Sequence, residues 1–207
     1  MKGAAALFVL AGCGATLALA QSPAAKPDTA KGRIIATQMC AACHGQDGNS
    51  PAPANPKLSG QIPEYMVKQL GNFKENTERK NPIMAGMAAP LSVEEMRSIA
   101  AYYGEQKAMQ GTAKNRDTVV LGRRIYRGGD TARGLPACAG CHGAAGTGIP
   151  VQYPRLAGQY AEYTEAQLKA FRSGERANDP GAMMRTIASK LSDSEIRAVS
   201  DYIAGLR

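Results

Sequence analysis

Only two histidines occur in the 207 residues, His44 and His142, and both close the same five-residue pattern. The first lies in QMCAACHGQDGNS, from Gln38, and the second in PACAGCHGAAGTG, from Pro136. Four of the five cysteines, Cys40, Cys43, Cys138 and Cys141, sit there too, so C-x-x-C-H occurs twice. A disulfide at this spacing would constrain little and would leave the histidine unexplained. A zinc site could use Cys, Cys and His, yet each unit lacks a fourth nearby Cys or His. A thioredoxin-type redox pair needs a βαβ setting. The remaining chemistry fits every residue: each cysteine forms a thioether to one vinyl group of a porphyrin, and the adjoining imidazole meets the iron. Two covalently bound haem c groups are therefore expected, one on Cys40 and Cys43 and one on Cys138 and Cys141. His44 and His142 are the expected proximal iron ligands.

The other axial ligand has to come from elsewhere, since no histidine is left. Methionine is the usual partner in electron-transfer haems, and the chain has nine. An internal repeat narrows the choice. Shifted by 98 residues, Cys40, Cys43, His44, Gly45 and Gly48 fall on Cys138, Cys141, His142, Gly143 and Gly146. Pro56, Leu58, Gly60 and Gln61 fall on Pro154, Leu156, Gly158 and Gln159, and Tyr65, Gln69 and Phe73 on Tyr163, Gln167 and Phe171. After a two-residue insertion the shift becomes 100, and Met84, Leu91, Ser92, Glu95 and Tyr102 meet Met184, Leu191, Ser192, Glu195 and Tyr202. In that register Met87 meets Ile187, and Met183 meets Ile83. Met84 and Met184 are the expected distal ligands, with Met87 and Met183 as the fallback at each site.

Two copies are too few for a solenoid and read as a duplicated domain. The expected units are 31–108 and 116–207, joined by a short polar linker at 109–115. Each reads as helical. LSVEEMRSIAAYYGEQ and LSDSEIRAVSDYIAGL have apolar residues at helical spacing behind a Ser-x-x-Glu capping box. PEYMVKQLGNFKE and AEYTEAQLKAFRSG give a middle helix in each unit. Shorter helices, around Gly32–Thr37 and Val119–Tyr126, precede the cysteine motifs. No alternating strand pattern occurs, so the expected fold is all-α: three short helices and long loops, twice. The Pro-x-Leu at Pro56 and Pro154 lies where the loop turns back, so that proline's carbonyl is a candidate acceptor for the ring N–H of the ligating histidine.

Aromatic residues are few, at 5% with no Trp, and large aliphatics are sparse for two cores. Unless the chain is loosely folded, something other than side chains fills the middle, as a large apolar cofactor would. The formal charge is +8. Residues 21–113 carry 10 basic and 8 acidic side chains, and 114–207 carry 14 and 9. The basic residues are scattered with no run of five, which reads as a solvated surface with some docking role rather than a nucleic-acid site. The N-terminus, MKGAAALFVLAGCGATLALAQS, has one charge and then an apolar run ending in Ala-Leu-Ala. That pattern predicts a secretory signal at 1–20, cleaved after Ala20, and a flexible lead-in at 21–30. LAGC also fits a lipoprotein processing site that would leave Cys13 as a lipidated first residue. An uncleaved anchor is a third possibility, so membrane association by tether stays open.

CAACHGQDGNSPAPANPKLSGQ and CAGCHGAAGTGIPVQYPRLAGQ, each followed by a Met and an LS…E…Y helix, resemble the cytochrome c4 family over about Lys31 to Arg207. The loop before Met84 is short. The resemblance implies two class I cytochrome c domains related by a pseudo-twofold axis, with His44/Met84 and His142/Met184 ligation. It further implies a periplasmic monomer that is not an enzyme. Such a protein carries single electrons from the cytochrome bc complex toward a terminal oxidase. Alternatives are a cytochrome subunit of a periplasmic dehydrogenase or oxidase and, more remotely, a two-haem peroxidase, which would need an open axial position.

Overall fold

The computed structural model describes residues 26–207, together with Gly3. The signal expected at 1–20, with Cys13, and half of the 21–30 lead-in lie outside the described residues. Among those described, no helix is long and apolar enough to cross a membrane.

The first half opens with α1 (Thr29–Ile35), started by Asp28, whose carboxylate accepts the Lys31 N–H. It runs on as a π-helical segment, Ala36–Cys40, into α2 (Ala41–His44). After a long loop come α3 (Pro63–Glu75), α4 (Pro82–Ala88) and α5 (Val93–Gly104). The second half repeats the order with α6 (Arg116–Gly128), α7 (Ala139–His142), α8 (Ala161–Ser173), α9 (Met183–Ala188) and α10 (Asp193–Ala204). Both capping boxes form: Ser92 and Glu95 exchange hydrogen bonds at the start of α5, and Ser192 and Glu195 at the start of α10. Only isolated bridges and no named strand occur among the described residues.

Three helices per half undercounts the fold. The methionine-bearing stretches form short helices, α4 and α9, that the sequence pattern hides. Pro82 and Gly86 punctuate the first, and Pro180 and Gly181 precede the second, so each apolar run is too short to show a helical period. The lead helices also extend beyond the expected spans, α1 into the π-helical segment and α6 over the whole of Arg116–Gly128.

The first and last helices of each half cross at a glycine. A Cβ on Gly32 would lie 2.0 Å from the Ser98 carbonyl oxygen, and one on Gly122 would lie 2.1 Å from that of Ala198. Only glycine permits backbones this close. Behind each crossing lies a separate core. Ala36, Met66, Leu91, Met96, Ile99, Ala100 and Tyr103 form the first. Ile125, Tyr126, Leu135, Leu168, Leu191, Ile196, Val199, Ile203 and Leu206 lead the second.

The halves meet through reciprocal contacts that make the twofold relation explicit. The Gln61 amide donates to the Arg155 carbonyl (3.0 Å) and accepts the Arg155 N–H (2.8 Å). Its equivalent, Gln159, does the same to Lys57, at 3.0 Å in both directions. Arg79 donates to Gln69 and to the Tyr163 hydroxyl (2.8 Å). Arg176 donates to Gln167 (2.8 Å), the Tyr65 hydroxyl (3.0 Å) and Gln69 (3.1 Å). Each guanidinium lies over a phenylalanine of its own half, Arg79 over Phe73 at 4.3 Å and Arg176 over Phe171 at 4.4 Å. Both arginines are buried, and among the described residues neither pairs with a carboxylate. Their charge is spread over amide and phenol oxygens instead. Burial alone would raise the Tyr65 phenol, but Arg176 and Arg79 outweigh it and hold the phenol below its ordinary value.

Candidate functional sites

Each C-x-x-C-H motif forms the short helix that ends on its histidine. Cys40 is the last residue of the π-helical segment, Cys43 lies in α2 and His44 ends it. Cys138 is the N-cap of α7, with Cys141 and His142 inside. The chain then reverses at Gly45 (φ 79°) and Gly143 (φ 82°), a left-handed conformation that glycine adopts without strain. No disulfide joins either cysteine pair. Burial pushes Cys40 and Cys138 up to about 11. They are therefore thiols rather than activated thiolates, the opposite of what a thioredoxin-type pair requires. Among the described residues no three His, Cys, Asp or Glu side chains converge on a metal position, which counts against a zinc cage.

The histidines are held in the same way in both halves. His44 Nδ1 lies 2.9 Å from the Pro56 carbonyl oxygen, and His142 Nδ1 lies 3.0 Å from that of Pro154. A carbonyl only accepts, so Nδ1 must carry the proton, and Nε2 is left with its lone pair for a metal. Burial lowers both imidazoles, outweighing the opposing effect of the proline carbonyls, and keeps the rings neutral as a metal ligand must be. Both histidines are buried, each 7% exposed. The loop after each histidine is pinned by matching bonds: the Gly48 carbonyl accepts Leu58 N–H at 2.7 Å, and the Gly146 carbonyl accepts Leu156 N–H at 2.8 Å. The expected role of the Pro-x-Leu carbonyl is thus visible in the geometry.

The four candidate methionines are all half-buried, so exposure alone does not separate them. Their helices do. Met84 and Met184 each precede by four residues an alanine with no exposed surface, Ala88 and Ala188, and so share its side of the helix. Met184 packs against the second core. Ile187, the counterpart of Met87, packs there as an ordinary aliphatic, while Ile83, the counterpart of Met183, is 72% exposed. The repeat register and the helix faces thus favour the same pair. Each half thus offers two cysteines and a neutral imidazole with a free Nε2, with a half-buried methionine as the candidate second ligand. That set suits a covalent haem and neither a zinc ion nor a redox disulfide.

What sequence reasoning missed lies between the halves. Arg79 and Arg176 stand 97 residues apart, outside both the 98 and the 100 register. The net two-residue insertion is a one-residue deletion before these arginines and a three-residue insertion after them. A register test on the flanking Glu-Arg pairs, Glu78-Arg79 and Glu175-Arg176, would have found them.

The repeated motif, the duplicated helical unit and the buried imidazoles define a two-haem c-type cytochrome. A family model described as cytochrome c matches residues 29–105 and 119–207. Cytochrome c4 of Thiocapsa roseopersicina is 48% identical over 181 residues, covering 86% of this chain and 93% of the relative. The crystal structure of reduced recombinant cytochrome c4 from Pseudomonas stutzeri superposes with a TM-score of 0.83 at 43% identity, over 87% of this chain and all of that one. A protein named thiosulfate dehydrogenase electron acceptor, from Stutzerimonas stutzeri strain A1501, is 41% identical, covering 95% of this chain and 94% of the relative. The chain belongs to the cytochrome c family and, within it, to the cytochrome c4 group. It carries two covalently bound haem c groups, folds as two all-α cytochrome c domains and is an electron-transfer protein rather than an enzyme.

Proposed function

We propose that each domain, 31–108 and 116–207, holds one haem through its own C-x-x-C-H motif. Cys40 and Cys43 carry the first, with His44 and Met84 as iron ligands. Cys138 and Cys141 carry the second, with His142 and Met184. The carrying observation is the pair of buried imidazoles, each locked through Nδ1 to a proline carbonyl so that Nε2 alone is available. With His44 and Met84 in one domain, and His142 and Met184 in the other, as the residues that would hold iron, a bound haem would supply one-electron chemistry and leave no site for a substrate. The chain's own residues fix the ligands, exclude water from the imidazoles and hold the two domains in one orientation.

The protein works as a periplasmic monomer between a quinol-oxidising cytochrome bc complex and a terminal oxidase. The leader expected from the sequence at 1–20 and scattered basic charge suited to weak, salt-sensitive docking support this reading. A second reading is favoured by one relative's name: the electrons come from a periplasmic dehydrogenase acting on a reduced sulfur compound. The two donors are separable by stopped-flow absorbance. The reading holds if a bc complex reduces both haems and a terminal oxidase reoxidises them. It fails if only the dehydrogenase reduces the protein.

A further inference from the structure

The turn after each ligand histidine is held by a buried tyrosine, and the two domains take that tyrosine from opposite helices. In the first domain it is Tyr103 of α5, whose hydroxyl donates to the Gly45 carbonyl at 3.3 Å. In the second it is Tyr126 of α6, whose hydroxyl donates to the Gly143 carbonyl at 2.7 Å. Gly45 and Gly143 are the residues next to His44 and His142. Neither tyrosine has any exposed surface.

The repeat does not align these two residues. The crossing glycines pair α1 with α6, placing Tyr126 opposite Ala36, which is fully buried. The register of α5 and α10 places Tyr103 opposite Ile203, 3% exposed. Where one helix brings the large ring, its partner brings a smaller side chain, as a core of fixed volume requires. The neighbouring ring is the same in both: Tyr102 lies 5.3 Å from Tyr103, and its counterpart Tyr202 lies 5.6 Å from Tyr126. The rings approach from different sides. Tyr103 leans on Gly48, while Leu206 covers the equivalent Gly146. What coincides is the hydroxyl and the carbonyl it reaches.

We propose that Tyr103 and Tyr126 are equivalent positioning residues, supplied by the last helix in one domain and the first in the other, each fixing the carbonyl of the glycine that follows the iron-binding histidine. The inference rests on the reading of His44 and His142 as iron ligands. A ring alone would suffice for packing, and two unrelated positions would not then converge on one carbonyl. Held at Nδ1 by proline and at the following glycine's carbonyl by tyrosine, the imidazole is fixed from both ends.

The test uses the reduced two-haem protein and proton exchange at the histidine Nδ1–H groups, read by NMR one domain at a time. Tyr103→Phe keeps the ring and removes the hydroxyl. It should speed Nδ1–H exchange at His44 by roughly tenfold, the effect of one net hydrogen bond, and leave His142 unchanged. Tyr126→Phe should do the reverse. Tyr202→Phe, whose hydroxyl bonds Arg127 rather than the turn, should change neither. Absorbance should still count two haems per chain in every variant. Unchanged exchange in both Tyr→Phe variants, or equal change in both domains, overturns the inference while the ligand reading stands. If the unmodified protein lacks protected Nδ1–H signals and the sulfur–iron charge-transfer band, the ligand reading falls and takes the inference with it.

Discussion

The two domains build one site from unequal approaches. In the first, four residues separate Ile35 from Cys40, and the chain runs as unbroken helix into the motif. In the second, twelve separate Ile125 from Cys138. The extra eight leave the helix at Gly129 and form a small hairpin closed by the Asp130–Leu135 bridge, with a 3₁₀ turn at Thr131–Arg133. The hairpin gives the second domain a partner for its capping box: Arg133 reaches Glu195 at 2.6 Å and Asp130 at 2.8 Å. Among the described residues the first domain has only Lys31, 3.4 Å from Glu95. The cysteines, histidine, proline carbonyl, methionine and crossing glycine keep their places through all of this. The groups of the candidate site keep their places in space, while the segments and tyrosines that support them differ between the halves.

The largest expected effect breaks one site and spares the other. Met84→Ala should abolish the sulfur–iron charge-transfer band of one haem and leave the second intact, and Met184→Ala should do the converse. If Met87→Ala removes the first band instead, the ligand is one helical turn away.

The interface arginines sharpen the comparison next. Arg176 bonds two side chains of the opposite domain and Arg79 only one. Gln69 keeps the Asn178 donor in either case, but removing Arg176 takes the donor from the half-buried Tyr65 hydroxyl and Gln167 amide oxygen, and removing Arg79 takes it from the Tyr163 hydroxyl alone, at up to about 1–3 kcal/mol per orphaned group. Arg176→Met should therefore lower unfolding free energy by more than Arg79→Met, measured by denaturant titration of each haem's absorbance. Equal losses would mean that the interface is less lopsided than its hydrogen bonds.

Acid should separate the capping boxes. The Arg133 hydrogen bond and the Ser192 contacts lower the Glu195 carboxyl to about 2 from an ordinary 4.5. A depressed carboxyl contributes its stability fully above the unfolded value and loses it as pH falls toward the folded one. The second domain should thus lose that contribution between about pH 4.5 and 2. Glu195→Gln should flatten its stability across this window more than Glu95→Gln does for the first, followed by circular dichroism.

The smallest effect is on potential. The second domain, 116–207, carries four more positive than negative charges, against two for the first, 31–108. Its haem should be the easier to reduce, by a margin that shrinks with added salt. A redox titration giving one wave at low salt would contradict this.

How much of this could be read from the sequence follows from what each feature depends on. The cysteine motifs, the capping boxes and the Pro-x-Leu carbonyl are local, set by residues a few positions apart or in one loop, and all were legible. The methionine helices were not, because six or seven residues interrupted or preceded by Pro and Gly show no helical period. The arginine pair and the exchanged tyrosines escaped for another reason. Their equivalence lies in space, where Arg79 meets Arg176 and where Tyr103 and Tyr126 reach matching carbonyls, while loop-length changes and a helix exchange remove it from the alignment.

The account stands on one haem per domain, each held by its own cysteine pair, and peptide mass mapping of the purified protein tests that directly. Two haem-bearing peptides are predicted, one containing Cys40 and Cys43 and the other Cys138 and Cys141. A single haem peptide, or either cysteine pair recovered as alkylated free thiols, would contradict it.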